Sequence, residues 1–129
     1  MWRLDYRLFV YGTLIRGQRN HRLLARARPL GPASTAPRFA LHDLGRFPAM
    51  VSGGTNQVIG ELYAVDGVTL AMLDNFEGHP RFFRRETVML ADGGTALAYL
   101  LPPGRVRGFG VVASGDWRDR SPGGTPRRK

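Results

Sequence analysis

The apolar positions of the chain fall mostly in short runs of four to eight residues, separated by glycine and proline, which is a strand-rich pattern. Leu8-Phe9-Val10-Tyr11 is aromatic and β-branched and predicts a buried strand that Gly12-Thr13 ends. From about Asn20, Leu23, Leu24 and Ala27 fall on one face and Arg19, Arg22 and Arg26 on another, which predicts an amphipathic helix. Pro29 to Pro37 reads as a loop. Phe39 to Leu44 predicts a second strand, with a turn after it through Gly45 and Pro48. Beyond the Ser52-Gly53-Gly54-Thr55 loop, Val58 to Val65 has strong strand character. Asp66-Gly67 then turns the chain into a short helix near Thr69–Asn75, with Leu70 and Leu73 inward and Gly78 at its C-terminal cap. Thr87–Ala91 and Thr95–Leu101, joined by Asp92-Gly93-Gly94, predict a hairpin, and Val111-Val112-Ala113 a last short strand. The pattern predicts an α+β domain, a curved sheet or small barrel with two short helices.

Length and composition narrow the function. At 129 residues the chain is one domain, able to bury about two-thirds of its unfolded surface. The absence of Cys excludes a disulfide framework, a thiolate metal site and a cysteine nucleophile. No apolar run reaches membrane-spanning length, and the Met1-Trp2-Arg3-Leu4-Asp5 start lacks the layout of a signal peptide, so a cytoplasmic protein is expected. The formal net charge of +9 points towards a polyanion, but its distribution does not. Residues 1–50 carry a net +7, residues 51–117 a net −2 and residues 118–129 a net +4. Eighteen of the nineteen basic residues are Arg, and the aromatic residues are not interleaved with them, so no base-stacking platform is formed. A basic solvated surface is the expectation rather than a nucleic-acid site. The tail from Ser121 is too polar to pack and is expected to be disordered.

Candidate chemistry begins with exclusions. His21, His42 and His79 are isolated and lack metal-site spacing, and the chain has no Gly-x-Ser-x-Gly, Gly-x-Gly-x-x-Gly or P-loop. Two segments remain. In Tyr11-Gly12-Thr13-Leu14 a strand stops at a glycine, where backbone N–H groups can converge on an anion; the same residues also fit an ordinary turn. Asp74 and Glu77 lie three residues apart at the end of the short helix, near Phe76, Phe82 and Phe83. The negative end of the helix dipole and aromatic desolvation would raise a carboxylate's pKa, as a proton shuttle requires. A solvated helix end, with Arg81, Arg84 and Arg85 as counter-ions, fits equally.

Taken together these segments carry a resemblance. Phe9-Val10-Tyr11-Gly12-Thr13-Leu14-Ile15-Arg16-Gly17-Gln18-Arg19-Asn20-His21 resembles the opening of the gamma-glutamyl cyclotransferase-like family, nearest its gamma-glutamylamine branch and short bacterial members. Gly60-Glu61-Leu62-Tyr63-Ala64-Val65-Asp66, Leu73-Asp74-Asn75-Phe76-Glu77-Gly78, Tyr99 and Ser114-Gly115-Asp116-Trp117 continue it, so that the resemblance covers about residues 6–117; the expected family domain is 1–117, followed by a disordered basic tail at 118–129. The resemblance implies a small mixed β-barrel with flanking short helices. It implies cyclisation of a γ-glutamyl-amine or γ-glutamyl-amino-acid compound to 5-oxoproline and free amine, without cofactor or metal. Glu77 matches the catalytic acid/base, and Tyr11, Gly12, Thr13 and Leu14 the substrate loop. Phe83 stands around the position where close relatives often have Tyr, so the role of that hydroxyl is expected to be either lost or supplied elsewhere, with Tyr99 as the candidate. A small-molecule γ-glutamyl substrate, no nucleic-acid or membrane partner and a monomer are expected. The alternative is a ligand-binding protein on an inactivated cyclotransferase scaffold.

Overall fold

The computed structural model describes residues 5–120. Its elements are β1 (Asp5–Val10), β2 (Arg28–Ser34), β3 (Phe39–Asp43), β4 (Pro48–Ser52), β5 (Ile59–Asp66), α1 (Gly67–Glu77), β6 (Arg84–Met89) and β7 (Thr95–Leu100), with three short 3-10 turns. The seven strands form one mixed sheet in the order β2-β5-β1-β7-β4-β3, and β6 pairs with β7. The order is not a simple row. β6 takes one edge of β7 along its whole length, so β1 and β4 share the other. β1 meets it in parallel at Leu8–Leu97 and β4 at Met50–Leu100. The sheet therefore splits where β1 leaves β7 and β4 takes over. It is not closed by a full ladder. A single bridge between Thr35 and Leu90 brings the end of β2 to the end of β6, flanked by bonds from Ala36 N–H to the Met89 carbonyl and from Ala91 N–H to that of Ser34.

Strand periodicity builds two apolar layers. Leu8 and Val10 of β1, Tyr63 and Val65 of β5 and Tyr99 of β7 pack beneath α1 against its Leu70 and Leu73. The intervening Phe9, Leu62, Ala98 and Leu100 point to the other face, where Met50, Leu41, Val58 and Trp117 complete a second cluster. α1 starts at Asp66, whose carboxylate accepts from Thr69 N–H at 2.8 Å, and stops at Gly78, which adopts the left-handed φ of 72°. No helix among the described residues is long and apolar enough to cross a membrane.

Several elements differ from the sequence pattern. The stretch containing Pro29 and Pro32 is strand β2 rather than loop: it is an edge strand with a bulge between Pro29 and Gly31, a place that tolerates missing N–H donors. The expected turn at Pro48 is the first residue of strand β4, whose Ala49, Met50 and Val51 are buried. The expected helix from Asn20 is only a 3-10 turn at His21–Leu24; the Asn20 side chain bonds Thr13 instead of capping it. The described residues thus form one α-helix rather than two. β6 begins at Arg84, earlier than expected, because its mostly exposed residues carry no apolar period. Val111 makes only an isolated bridge to His42. Of the tail, Arg118 bonds Asp116 and Arg120 stacks 3.6 Å above the Trp117 ring; the expected disorder from Ser121 lies outside the described residues.

Candidate active site

The split in the sheet opens a cavity of about 220 Å³ at the C-terminal end of β1. Tyr11, Gly12, Thr13, Leu14, Phe83, Tyr99 and Glu77 all line it, so the seven residues singled out in the sequence converge on one place. The structure adds Arg19, Asn20, Phe47, Pro48, Phe76 and Phe82 to the walls.

The loop after β1 is pinned through its carbonyls. Gly12 C=O accepts from Ile15 N–H at 3.2 Å, Thr13 C=O from Asn20 N–H at 2.9 Å, and Leu14 C=O lies 2.9 Å from His21 Nδ1. Asn20 Nδ2 also donates to Thr13 Oγ1 at 2.9 Å, and Arg16 N–H donates to Glu61 Oε1 at 3.0 Å. By contrast, the N–H groups of Gly12, Thr13 and Leu14 donate to no acceptor among the described residues. A rigid loop with its carbonyls tied back and successive N–H groups free has the polarity of an anion-binding concavity. Gly12 is needed for the packing: a Cβ there would lie 2.6 Å from Pro48 Cγ.

Across the cavity, α1 ends at Glu77. Gly78 reverses the chain, and bonds from Phe82 N–H to Gly78 C=O at 2.8 Å and from Phe83 N–H to Glu77 C=O at 3.3 Å fold both phenylalanines back beside the carboxylate. The Glu77 carboxylate has no hydrogen bond or ion pair among the described residues. Burial pushes its pKa up from 4.5 to about 7.

The two carboxylates of the helix end have different fates. Asp74 accepts from the Tyr99 hydroxyl at 2.7 Å through Oδ1 and pairs with Arg85 through Oδ2. Arg85 is thus the counter-ion of Asp74 and not of Glu77. The Tyr99 hydroxyl, the candidate to stand in for the one missing at Phe83, is committed to Asp74. Burial first, and the Asp74 carboxylate second, push its pKa far above the usual phenol value. The Tyr11 hydroxyl is not a free substrate ligand either. It donates to Tyr99 C=O at 2.6 Å and accepts from Met50 N–H at 3.1 Å, bridging β1, β7 and β4 at the split. Tyr11 and Leu14 are buried, so their contribution to the cavity is mainly backbone, whereas Thr13 remains half-exposed.

Asn20 had a visible signal, the Gly17-Gln18-Arg19-Asn20 spacing after the turn motif. Phe47 and Pro48 had none, because only the β3–β4 pairing carries them to the site.

Comparisons with known proteins agree with this architecture. Residues 8–119 match the family described as gamma-glutamyl cyclotransferase, AIG2-like. A Vibrio cholerae protein provisionally named gamma-glutamylcyclotransferase is 41% identical over 117 residues, covering 91% of this chain and 99% of the relative. Gamma-glutamylcyclotransferase family protein YtfP of Escherichia coli K12 is 34% identical over 114 residues, covering 88% and 97%. The crystal structure of a mouse AIG2-like protein superposes with a TM-score of 0.77 at 26% identity, covering 97% of this chain and 98% of that one. The chain belongs to the gamma-glutamyl cyclotransferase, AIG2-like family.

Proposed function

We propose that the protein is a cyclotransferase that converts a γ-glutamyl amide to 5-oxoproline and a free amine, with Glu77 as general acid/base. The observation that carries this reading is the pairing of an unpartnered, half-buried Glu77 with a carbonyl-pinned loop whose N–H groups are free, in one cavity. The loop N–H groups of Gly12, Thr13 and Leu14 hold the oxygens of the glutamyl moiety in a folded-back conformation. The α-amine enters as its ammonium ion and gives one proton to the Glu77 carboxylate. Its nitrogen then attacks the γ-carbonyl carbon and a C–N bond forms. As the bond to the leaving nitrogen breaks, that nitrogen takes the proton from Glu77. The surplus proton on the ring nitrogen follows by the same carboxylate, so the amine departs as its ammonium ion. No water is consumed. A pKa near 7 makes Glu77 competent for both transfers at neutral pH, and both reactants being in one molecule leaves positioning as the larger part of the work.

The test is incubation with γ-glutamyl dipeptides, γ-glutamyl-ε-lysine and simple γ-glutamyl amides, measuring 5-oxoproline. Release from at least one of them is expected. Release that survives Glu77→Gln unchanged overturns the mechanism. Binding without turnover moves the reading to a ligand-binding protein on the same scaffold.

A further inference from the structure

The walls of the cavity differ in chemistry at its two sides. The N–H loop brings the polar side, including the side chain of Arg19. Beside Glu77 stand Phe47, Phe76, Phe82 and Phe83. Phe82 and Phe83 meet edge to face with centroids 5.2 Å apart and planes at 87°, and Phe47 packs at 6.3 Å from Phe82 and 6.0 Å from Phe83. Rings locked by one another form a preorganised wall. Only Phe83 is in the core. Phe76 is 47% exposed and Phe82 39%. Isolated exposed phenylalanines need no explanation, but these two line the same cavity and flank the same carboxylate.

Resting on the cyclotransferase reading, we infer that Phe76 and Phe82 select the leaving half of the substrate, and that this half is an uncharged arylalkyl amine rather than an amino acid. Three observations favour this. Among the described cavity-lining residues the charged ones are Arg19 and Glu77, and Arg19 belongs to the loop that faces the glutamyl moiety. A carboxylate on the leaving group would lose water against aromatic rings with no cation beside them among the lining residues; the Arg105 guanidinium, 5.5 Å from the Phe82 centroid, lies outside that lining and is tied to Arg81 C=O. A second cation on the leaving chain is disfavoured too: the Arg105 guanidinium already lies 5.5 Å from the Phe82 centroid, tied to Arg81 C=O at 3.2 Å.

The experiment compares kcat/KM for 5-oxoproline release from four amides: γ-glutamylmethylamide, γ-glutamylbenzylamide, γ-glutamylglycine and mono-γ-glutamyl-1,4-diaminobutane. The benzylamide is expected to exceed the other three by about tenfold, the scale of one ring's burial against aromatic neighbours. Phe82→Ala and Phe76→Ala should each cut the benzylamide-to-methylamide ratio at least about threefold, roughly half of that gain on a logarithmic scale. Phe76, the more exposed, keeps the test available if Phe82→Ala fails to fold. Glycine or diaminobutane amides equal to or better than the benzylamide overturn the inference. So does a ratio that neither variant moves. Turnover of the methylamide without a benzyl preference overturns the inference and leaves the cyclotransferase reading intact; 5-oxoproline from none of the four overturns the inference, and the cyclotransferase reading falls with it only if γ-glutamyl-ε-lysine and the other γ-glutamyl dipeptides also release none.

Discussion

Strands β1, β4, β5 and β7 each contribute to two regions of opposite character. On one face, Phe9, Leu41, Met50, Leu62 and Leu100 join one buried apolar cluster, and the hydroxyls buried with it are bonded. The buried Thr35 hydroxyl donates to Ala36 C=O at 2.8 Å and accepts from Val58 N–H at 2.9 Å, and the Tyr11 hydroxyl likewise makes two bonds. On the other face, where the sheet splits under α1, a carboxylate and three N–H groups have no partner among the described residues. Buried polar groups are ordinarily bonded, so a concentration of unbonded ones at one cavity is what a site kept open for a ligand would leave. Substitutions on the two faces should therefore move different observables.

Glu77→Gln should show the largest separation. Turnover of a γ-glutamyl amide should fall by about a thousandfold, within the range for losing a general acid/base. Stability should move the other way. The folded-state pKa of Glu77, about 7, lies above the ordinary value of 4.5, so the folded chain holds the proton more tightly than the unfolded one. Native stability is then greatest below pH 4.5 as far as this group is concerned, and declines as pH rises to 7, beyond which the cost is constant. That cost is on the order of 3 kcal/mol. Urea melts of wild type and Glu77→Gln should coincide near pH 4 and diverge by pH 8, with the variant more stable. A variant that is less stable at pH 8 would show that Glu77 is tied down after all.

Leu41→Ala should do the reverse. Leu41 is fully buried in the packed interior and does not line the cavity. Its truncation should cost about 3 kcal/mol of stability through lost transfer energy and a residual void. Turnover per folded molecule, measured well below the melting transition, should stay at the wild-type value. Loss of kcat in the folded variant would mean that the two faces are coupled.

Tyr11→Phe tests the boundary between the regions. The change keeps the ring, which packs in the interior, and removes the hydroxyl that joins β1 to β7 and β4. It leaves Met50 N–H and Tyr99 C=O short of a partner, at an expected cost of about 2 kcal/mol. An effect on stability larger than that on kcat/KM would assign the Tyr11 side chain to the scaffold; the opposite order would make it part of the site.

How much of this was legible in the sequence follows from how local each cause is. β1, β5 and α1 were readable, because Leu8–Tyr11, Val58–Val65 and the Asp66…Gly78 caps carry their own signals. β2 and β4 were not. Their prolines speak locally for turns, and only an edge position or a strand start makes them compatible with pairing. That the ends of β2 and β6 meet only through the Thr35–Leu90 bridge, and not a full ladder, is a tertiary outcome with no local signal. At the site, the loop and Glu77 were found through motif resemblance. The separation of Asp74 from Glu77 was hidden, since it depends on Tyr99, twenty-five residues away.

The smallest expected effect tests whether the polar side of the cavity depends on its shape being held. Asn20 reaches Thr13 twice, through its backbone N–H and through Nδ2 to Thr13 Oγ1, both at 2.9 Å. Asn20→Ala keeps the first bond and removes the second, a net loss of about 1 kcal/mol for a partly buried neutral pair. If that bond fixes the N–H groups of Gly12, Thr13 and Leu14 toward the glutamyl moiety, the loss should appear as a roughly fivefold rise in KM with little change in kcat. Thr13→Val removes the other partner. The two substitutions act on one bond, so the double variant should be no worse than the poorer single one, and the cycle should return a coupling near the full single-variant effect. Additive losses would show that Asn20 and Thr13 contribute separately, and that the free donors of the cavity are held by Gly12 and Pro48 rather than by the clamp.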